Sequence, residues 1–173
     1  HKEYRRQRQM CIRDSPYAGT YVTEVNAAVL KDVYEIRRML EAQAYSRIWP
    51  NRHAAFRDEL QNRFDLMIDA VSSGNLAEQI RTEAHFHGLV FETCGNHLMP
   101  AFWQQMTQKI QLGFAICQIA HAPKVDFEAN HRRFLECALG DSLDDMLAEL
   151  NTHLDRGLAT IQFESGLPTA TPR

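Results

Sequence analysis

The sequence predicts an all-α protein: an antiparallel six-helix bundle preceded by a short extended N-terminal remnant. Three observations lead there. From Val25 onward every periodic stretch repeats its apolar residues at steps of three and four, the period of one helix face. The stretches are separated by short breaks rich in Pro, Gly, Ser and Asn. Short links between helices favour antiparallel neighbours. The chain has 173 residues, 45% of them hydrophobic and 24% charged, the size of one domain. Such a chain typically buries roughly 70% of its unfolded surface, so no covalent staples are needed.

Residues 15–24 (SPYAGTYVTE) place turn formers before Tyr21, Val22 and Thr23, which predicts a short strand or extended arm. The first helix starts at Val25, with stripe Val25, Val29, Val33, Ile36, Leu40, Ala44 and Ile48. Trp49-Pro50 ends it, because the residue before proline avoids helical geometry. Asn51 is placed to cap the second helix, whose stripe is Phe56, Leu60, Phe64, Met67 and Val71 and which stops at Ser72-Ser73-Gly74. The third begins near Asn75 with Ile80, Ala84, His87, Phe91 and Cys94 inward. Gly95 then suits the left-handed position that closes a helix. The fourth runs from about Leu98 to His121 with Met99, Phe102, Met106, Ile110, Phe114 and Cys117 inward, and Pro123 closes the connection. The fifth spans about Val125 to Leu139 with Phe127, His131, Phe134 and Ala138 inward, ending at Gly140. Asp141 then caps a sixth helix with stripe Leu143, Met146, Leu150, His153, Gly157 and Ile161.

Several function classes are excluded. No run of about 18 apolar residues is present, so nothing in the sequence spans a membrane. Cys11, Cys94, Cys117 and Cys137 stand far apart with no CxxC pair, which argues against a disulfide framework or a thiolate zinc knuckle. The last three read as small core residues in a reducing, cytoplasmic compartment. The formal charge of −3 is uneven: residues 1–14 carry Lys2, Arg5, Arg6, Arg8 and Arg13 against Glu3 and Asp14, and the rest of the chain is acidic. An acidic body does not favour non-specific phosphate binding.

The informative feature is polar chemistry in core-facing slots. His87, His131 and His153 each fall on the apolar stripe of a different helix. Glu83 precedes His87 by four residues, so both leave the helix from nearly the same face. An unpartnered buried polar group costs about 1–3 kcal/mol. Two arrangements satisfy these four: a hydrogen-bonded polar core, or one shared cation. Three nitrogens and a carboxylate suit zinc, nickel, iron or manganese rather than calcium or magnesium. Such a metal keeps a coordination position open for water or a small carboxylate effector. His85 points roughly 200° away from His87, which predicts solvation. His97 and His53 are expected on the surface, and His121 at a helix end where a cation suits the dipole.

VYEIRRMLEAQA (33–44), EAHFHGLVFETCGNHLM (83–99) and NHRRFLECALGDSLDDMLAELNTHL (130–154) resemble the ligand-sensing FCD domain of GntR-type transcription regulators of the FadR subfamily. The resemblance covers about residues 25–160. It rests on an acidic residue four before the His of a Phe-His pair, then Gly-Asn, then two histidines 22 residues apart at 131 and 153. It implies an all-helical antiparallel bundle, a homodimer, and a divalent ion held by Glu83, His87, His131 and His153 beneath a small-carboxylate pocket. It also implies that Arg37, in the Glu-x-Arg motif, grips the effector carboxylate; the alternative for Arg37 is a salt bridge to Glu41. Two departures stand. Glu83 replaces the usual Asp, lengthening the arm by about 1.5 Å, and His97 replaces a common Pro.

The resemblance also divides the chain. Residues 15–24 resemble the wing and linker that end a winged helix-turn-helix domain, and 25–163 form the effector-binding and dimerisation domain. Residues 164–173 are expected to be a mobile tail. HKEYRRQRQMCIRDS lacks a helix-turn-helix pattern and looks like translated adaptor sequence, so residues 1–14 are read as non-native. A basic nucleic-acid-binding arm is the alternative. Operator DNA would then be bound only through a winged helix-turn-helix missing from this chain. The rival reading is a metal-dependent helical-bundle enzyme of oxygenase or oxidase type. Those sites use two Glu-x-x-His pairs, of which Glu128 and His131 supply only one.

Overall fold

A computed structural model describes residues 12–15, 19–22, 27–120 and 126–165, with side chains described over 28–115 and 126–159. The described residues form a two-stranded antiparallel hairpin and six α-helices. Strand β1 (Ile12–Ser15) pairs with β2 (Gly19–Val22), Ile12 opposite Val22 and Ser15 opposite Gly19. The helices are α1 (Ala27–Ile48), α2 (Ala54–Ser72), α3 (Leu76–Thr93), α4 (Met99–Ala120), α5 (Phe127–Leu139) and α6 (Leu143–Ser165). No helix among the described residues is long and apolar enough to cross a membrane. Cys11, Cys117, His121 and the tail from Gly166 lie outside the described residues or side chains. Cys94 is buried and Cys137 half-buried, both free thiols.

Helix α3 lies at the centre, packed on α1, α2 and α4, while α1 also meets α4 and α6. Its unbroken buried run from Phe86 to Phe91 reflects contact on several sides. Phe64, Phe86, Phe91, Phe134, Leu60, Leu150 and Leu154 fill the core. Phe91 stacks on Trp103 with ring centroids 4.7 Å apart and planes 13° from parallel.

Several expected caps and faces are corrected. Trp49–Asn51 form a 3-10 turn, so Asn51 is inside that turn and His53, in extended conformation, begins α2. Ser142, not Asp141, caps α6: its hydroxyl accepts from the Asp145 amide. Asp126 caps α5 by accepting from the Ala129 amide. Asn75 caps α3 as expected, accepting from the Glu78 amide. Gly95 has φ +73° and so makes the left-handed closure that a side chain would strain.

On α1, Ile36 is exposed and Val29 and Leu40 are only half-buried, while Leu30, Tyr34, Arg37, Glu41 and Tyr45 face inward. The helix is rotated from its apolar reading because it buries an ion pair. On α4, Trp103 enters the core and Phe102 stays exposed.

Two arginine devices fix the helices that matter below. Arg63, on α2, donates to Glu59, to Glu92 of α3 and to the His85 carbonyl, welding α2 to α3. Arg52 and Arg57 donate to the carbonyls of Ala138, Leu139 and Gly140, satisfying the free end of α5 with cations where the dipole favours them.

Replacing Phe91 by Ala removes a fully buried, stacked ring. Urea unfolding of the variant is expected to show a loss of about 3–5 kcal/mol.

Candidate metal centre

Three imidazoles meet between α3, α5 and α6. His87, His131 and His153 are all buried, and each offers a ring nitrogen within 4.8 Å of the other two. The Nε2 atoms of His87 and His153 are 3.3 Å apart. Two imidazole lone pairs cannot face each other at that range without a proton or a cation between them. Two nitrogens each about 2.0–2.1 Å from one zinc ion at a tetrahedral angle would stand about 3.3 Å apart.

Hydrogen bonding fixes which nitrogens turn inward. His131 Nδ1 donates to the Phe127 carbonyl at 2.8 Å, one helical turn back. That bond places the proton on Nδ1 and leaves the Nε2 lone pair facing the cluster. His131 Nε2, His153 Nδ1 and His87 Nδ1 are buried without a hydrogen-bond partner. The ring nitrogens that the three histidines turn toward one another, drawn from three helices, fit a divalent transition ion.

Aromatic rings pack the imidazoles in place. Phe134 lies 5.0 Å from His87 and 4.9 Å from His153, and Phe127 lies 4.1 Å from His131, centroid to centroid. This apolar jacket explains the electrostatics. Burial pushes His87 well below the usual histidine range, with Arg37 and His131 adding to the effect. Burial does the same to His153, reinforced by His131, His87, Arg37 and Arg156.

Glu83 is buried, with Oε1 3.7 Å from His131 Nε2. It borders the histidine cluster but is not among the groups lying within 4.8 Å of one another. The four expected residues thus share one region, with three converged and the carboxylate at the edge.

Arg37 forms the salt bridge to Glu41 that was the alternative for it. Its Nε donates to Glu41 Oε2 at 2.9 Å, while its Nη2 is buried without a hydrogen-bond partner. Its guanidinium lies between the rings of Tyr34 and Trp103, 5.7 and 5.3 Å from their centroids. Burial acts to lower its pKa, but Glu41, Tyr34 and Glu83 more than offset this, so the cation persists. Glu41, expected only as a salt-bridge partner of Arg37, is fully buried and also borders His87. Burial raises its pKa above the usual carboxylate value, and Arg37 offsets only part of that rise.

A cavity of about 60 Å³ opens beside the cluster, lined by Arg37, Glu83, His131 and His153 together with Tyr34, Phe114, Phe127, Asn130, Leu154, Arg156 and Gly157. Arg156 is held by Glu149, which also accepts from Arg133. A Cβ at Gly157 would sit 3.2 Å from the Tyr34 hydroxyl. The cavity therefore has cationic, hydrogen-bonding and apolar walls around the histidines.

The other histidines lie apart. His53 and His97 are exposed, and His85 is half-buried rather than solvated, its carbonyl taken by Arg63. Glu128, which the Glu-x-x-His spacing pairs with His131, is exposed and bound to Arg132 at 2.5 Å. It is turned away from the cluster and gives no support to a two-metal site.

The family model of the FCD domain matches residues 32–162. Among solved structures, the fold is similar to McbR/YncC of E. coli, with a TM-score of 0.75 at 16% identity over 92% of this chain and 81% of that one. GntR of Streptococcus agalactiae matches with a TM-score of 0.61 at 16% identity over 90% and 77%. A GntR-family regulator from Pseudomonas syringae pv. tomato matches with 0.62 at 16% identity over 93% and 67%. At such identities the likeness is one of fold. No sequence among the curated proteins matches significantly.

The two depressed histidines set a pH dependence for the metal-free chain. In the unfolded chain they take up protons near pH 6.5, while in the folded chain they resist. Stability is therefore full above that pH and falls below it. Melting with a chelator present is expected to show a lower Tm at pH 5.5 than at pH 7.5, with a smaller drop in His153→Gln. A Tm unchanged across that range would contradict the assignment.

Proposed function

The chain belongs to the FCD domain family, the effector-binding regulatory domains of GntR-type transcription regulators, and from that premise we propose that it senses a small organic acid over one bound divalent transition metal. The observation that carries this reading is the triple convergence of His87, His131 and His153 beside a cavity that also presents Arg37. The histidines supply three neutral nitrogen donors and Glu83 the carboxylate. Zinc suits that set best, with nickel, iron and manganese as alternatives. When bound, the ion supplies a Lewis-acid floor for a carboxylate.

The residues of the chain do the remaining work. Arg37 Nη2, lacking a protein partner, is free to donate to an anion in the cavity. Asn130 and Arg156 supply polar contacts farther along the wall, and Phe114, Phe127 and Leu154 exclude water. Arg37, Asn130 and Arg156 stand on α1, α5 and α6, so an effector in the cavity would touch three helices at once. In a cytoplasmic homodimeric parent, operator DNA would be bound by winged helices outside residues 25–163, and the effector would bias their placement. Such coupling needs different effector affinities in the two states, typically worth about 1–3 kcal/mol.

Native mass spectrometry with elemental analysis is expected to find one ion per chain. His131→Ala and His153→Ala should each lower metal affinity at least about tenfold, measured by competition with a chromogenic chelator. Full occupancy in both variants would refute the assignment. Small carboxylates should raise the Tm of the metal-loaded chain and leave the metal-free chain unmoved.

A further inference from the structure

Glu41 stands against the histidine cluster and is not among the residues that line the cavity. Its carboxylate is sealed from solvent, and each of its oxygens faces a different neighbour. Oε2 accepts from Arg37 Nε at 2.9 Å. Oε1 lies 3.3 Å from His87 Nδ1, close enough for a small ring rotation to align a hydrogen bond, and neither atom has any hydrogen-bond partner as placed. The opposite nitrogen of the same ring, Nε2, faces His153 at 3.3 Å.

We propose that Glu41 is a positioning residue for the metal centre: it holds the proton of His87 on Nδ1 and so commits Nε2 to the ion. This rests on the metal reading above. A histidine whose outer N–H is taken by a carboxylate has its tautomer and ring orientation set and its inner nitrogen made more basic. The fit is specific to this ring. His131 has its tautomer set by a backbone carbonyl, which carries no charge. His87 has a carboxylate at its Nδ1 edge, and that carboxylate is paired with the Arg37 guanidinium. One carboxylate thereby ties a metal ligand on α3 to the cavity-lining guanidinium on α1.

The test uses the full chain and the metal alone. In Zn²⁺-loaded wild type, long-range ¹H–¹⁵N spectra are expected to show His87 protonated at Nδ1 and metal-bound at Nε2. Metal on Nδ1 would overturn the proposal. Glu41→Gln should weaken Zn²⁺ binding by about 10–100-fold and shift the visible absorption of the Co²⁺ form. Because that change strands a buried cation, the double variant Arg37→Met, Glu41→Met is the companion: removing both partners of a buried pair spares the fold. It should melt near the wild type when metal-free and show the same loss of Zn²⁺ affinity. A folded variant that holds Zn²⁺ as tightly as wild type, with an unchanged Co²⁺ spectrum, overturns the proposal while leaving the metal reading intact. A wild type that holds no Zn²⁺ removes both.

Discussion

Imidazoles sealed inside a helical core must find something to share their nitrogens with, and the centre of this bundle is built around that demand. Three helices each turn a histidine to one point, and a fourth supplies a carboxylate and a guanidinium behind them. An all-apolar set of side chains at these positions would pack without cost. The retained polar groups carry a desolvation penalty that the surrounding phenylalanines make larger. The stability of the rest of the bundle tolerates this because the outer core, from Leu60 to Leu154, is conventional and well filled.

The devices that hold the helices bear directly on the site. Arg63 fixes α3, which carries Glu83 and His87, against α2. Arg52 and Arg57 hold the end of α5, and with it His131, to the α1–α2 connection. Site geometry is therefore set by polar clasps on two helices as well as by packing. Rigid placement of donors is what lets a cluster discriminate between ions by geometry and not by affinity alone.

Helix number, order and approximate extent were legible in the sequence because apolar periodicity and Gly or Pro breaks agree along the chain from 27 to 165. Faces were legible only where the buried stripe is apolar. On α1 the inward stripe runs through Arg37 and Glu41, so a reading that followed hydrophobicity placed Ile36 in the core and gave Glu41 no inward place beyond its pairing with Arg37. An Arg and a Glu four apart, in step with Leu30, Tyr34, Ala44 and Ile48, was the available signal. On α4 the choice between Phe102 and Trp103 turns on one residue of rotation, which periodicity does not resolve. Caps failed where two candidates adjoin: Ser142 outcompetes Asp141, and the turn at Pro50 absorbs Asn51. Three inward histidines on three helices were visible as a misfit between pattern and chemistry. The slight withdrawal of Glu83 depends on a side-chain rotamer and was not visible.

The absence of a side chain at Gly157 governs the headroom of the void. Its backbone approaches the Tyr34 phenol so nearly that even one methyl group would press on the hydroxyl. The room in the cavity is accordingly set in part at a position with no chemistry of its own. Descendants could reshape the void by enlarging that single residue, leaving the three histidines untouched.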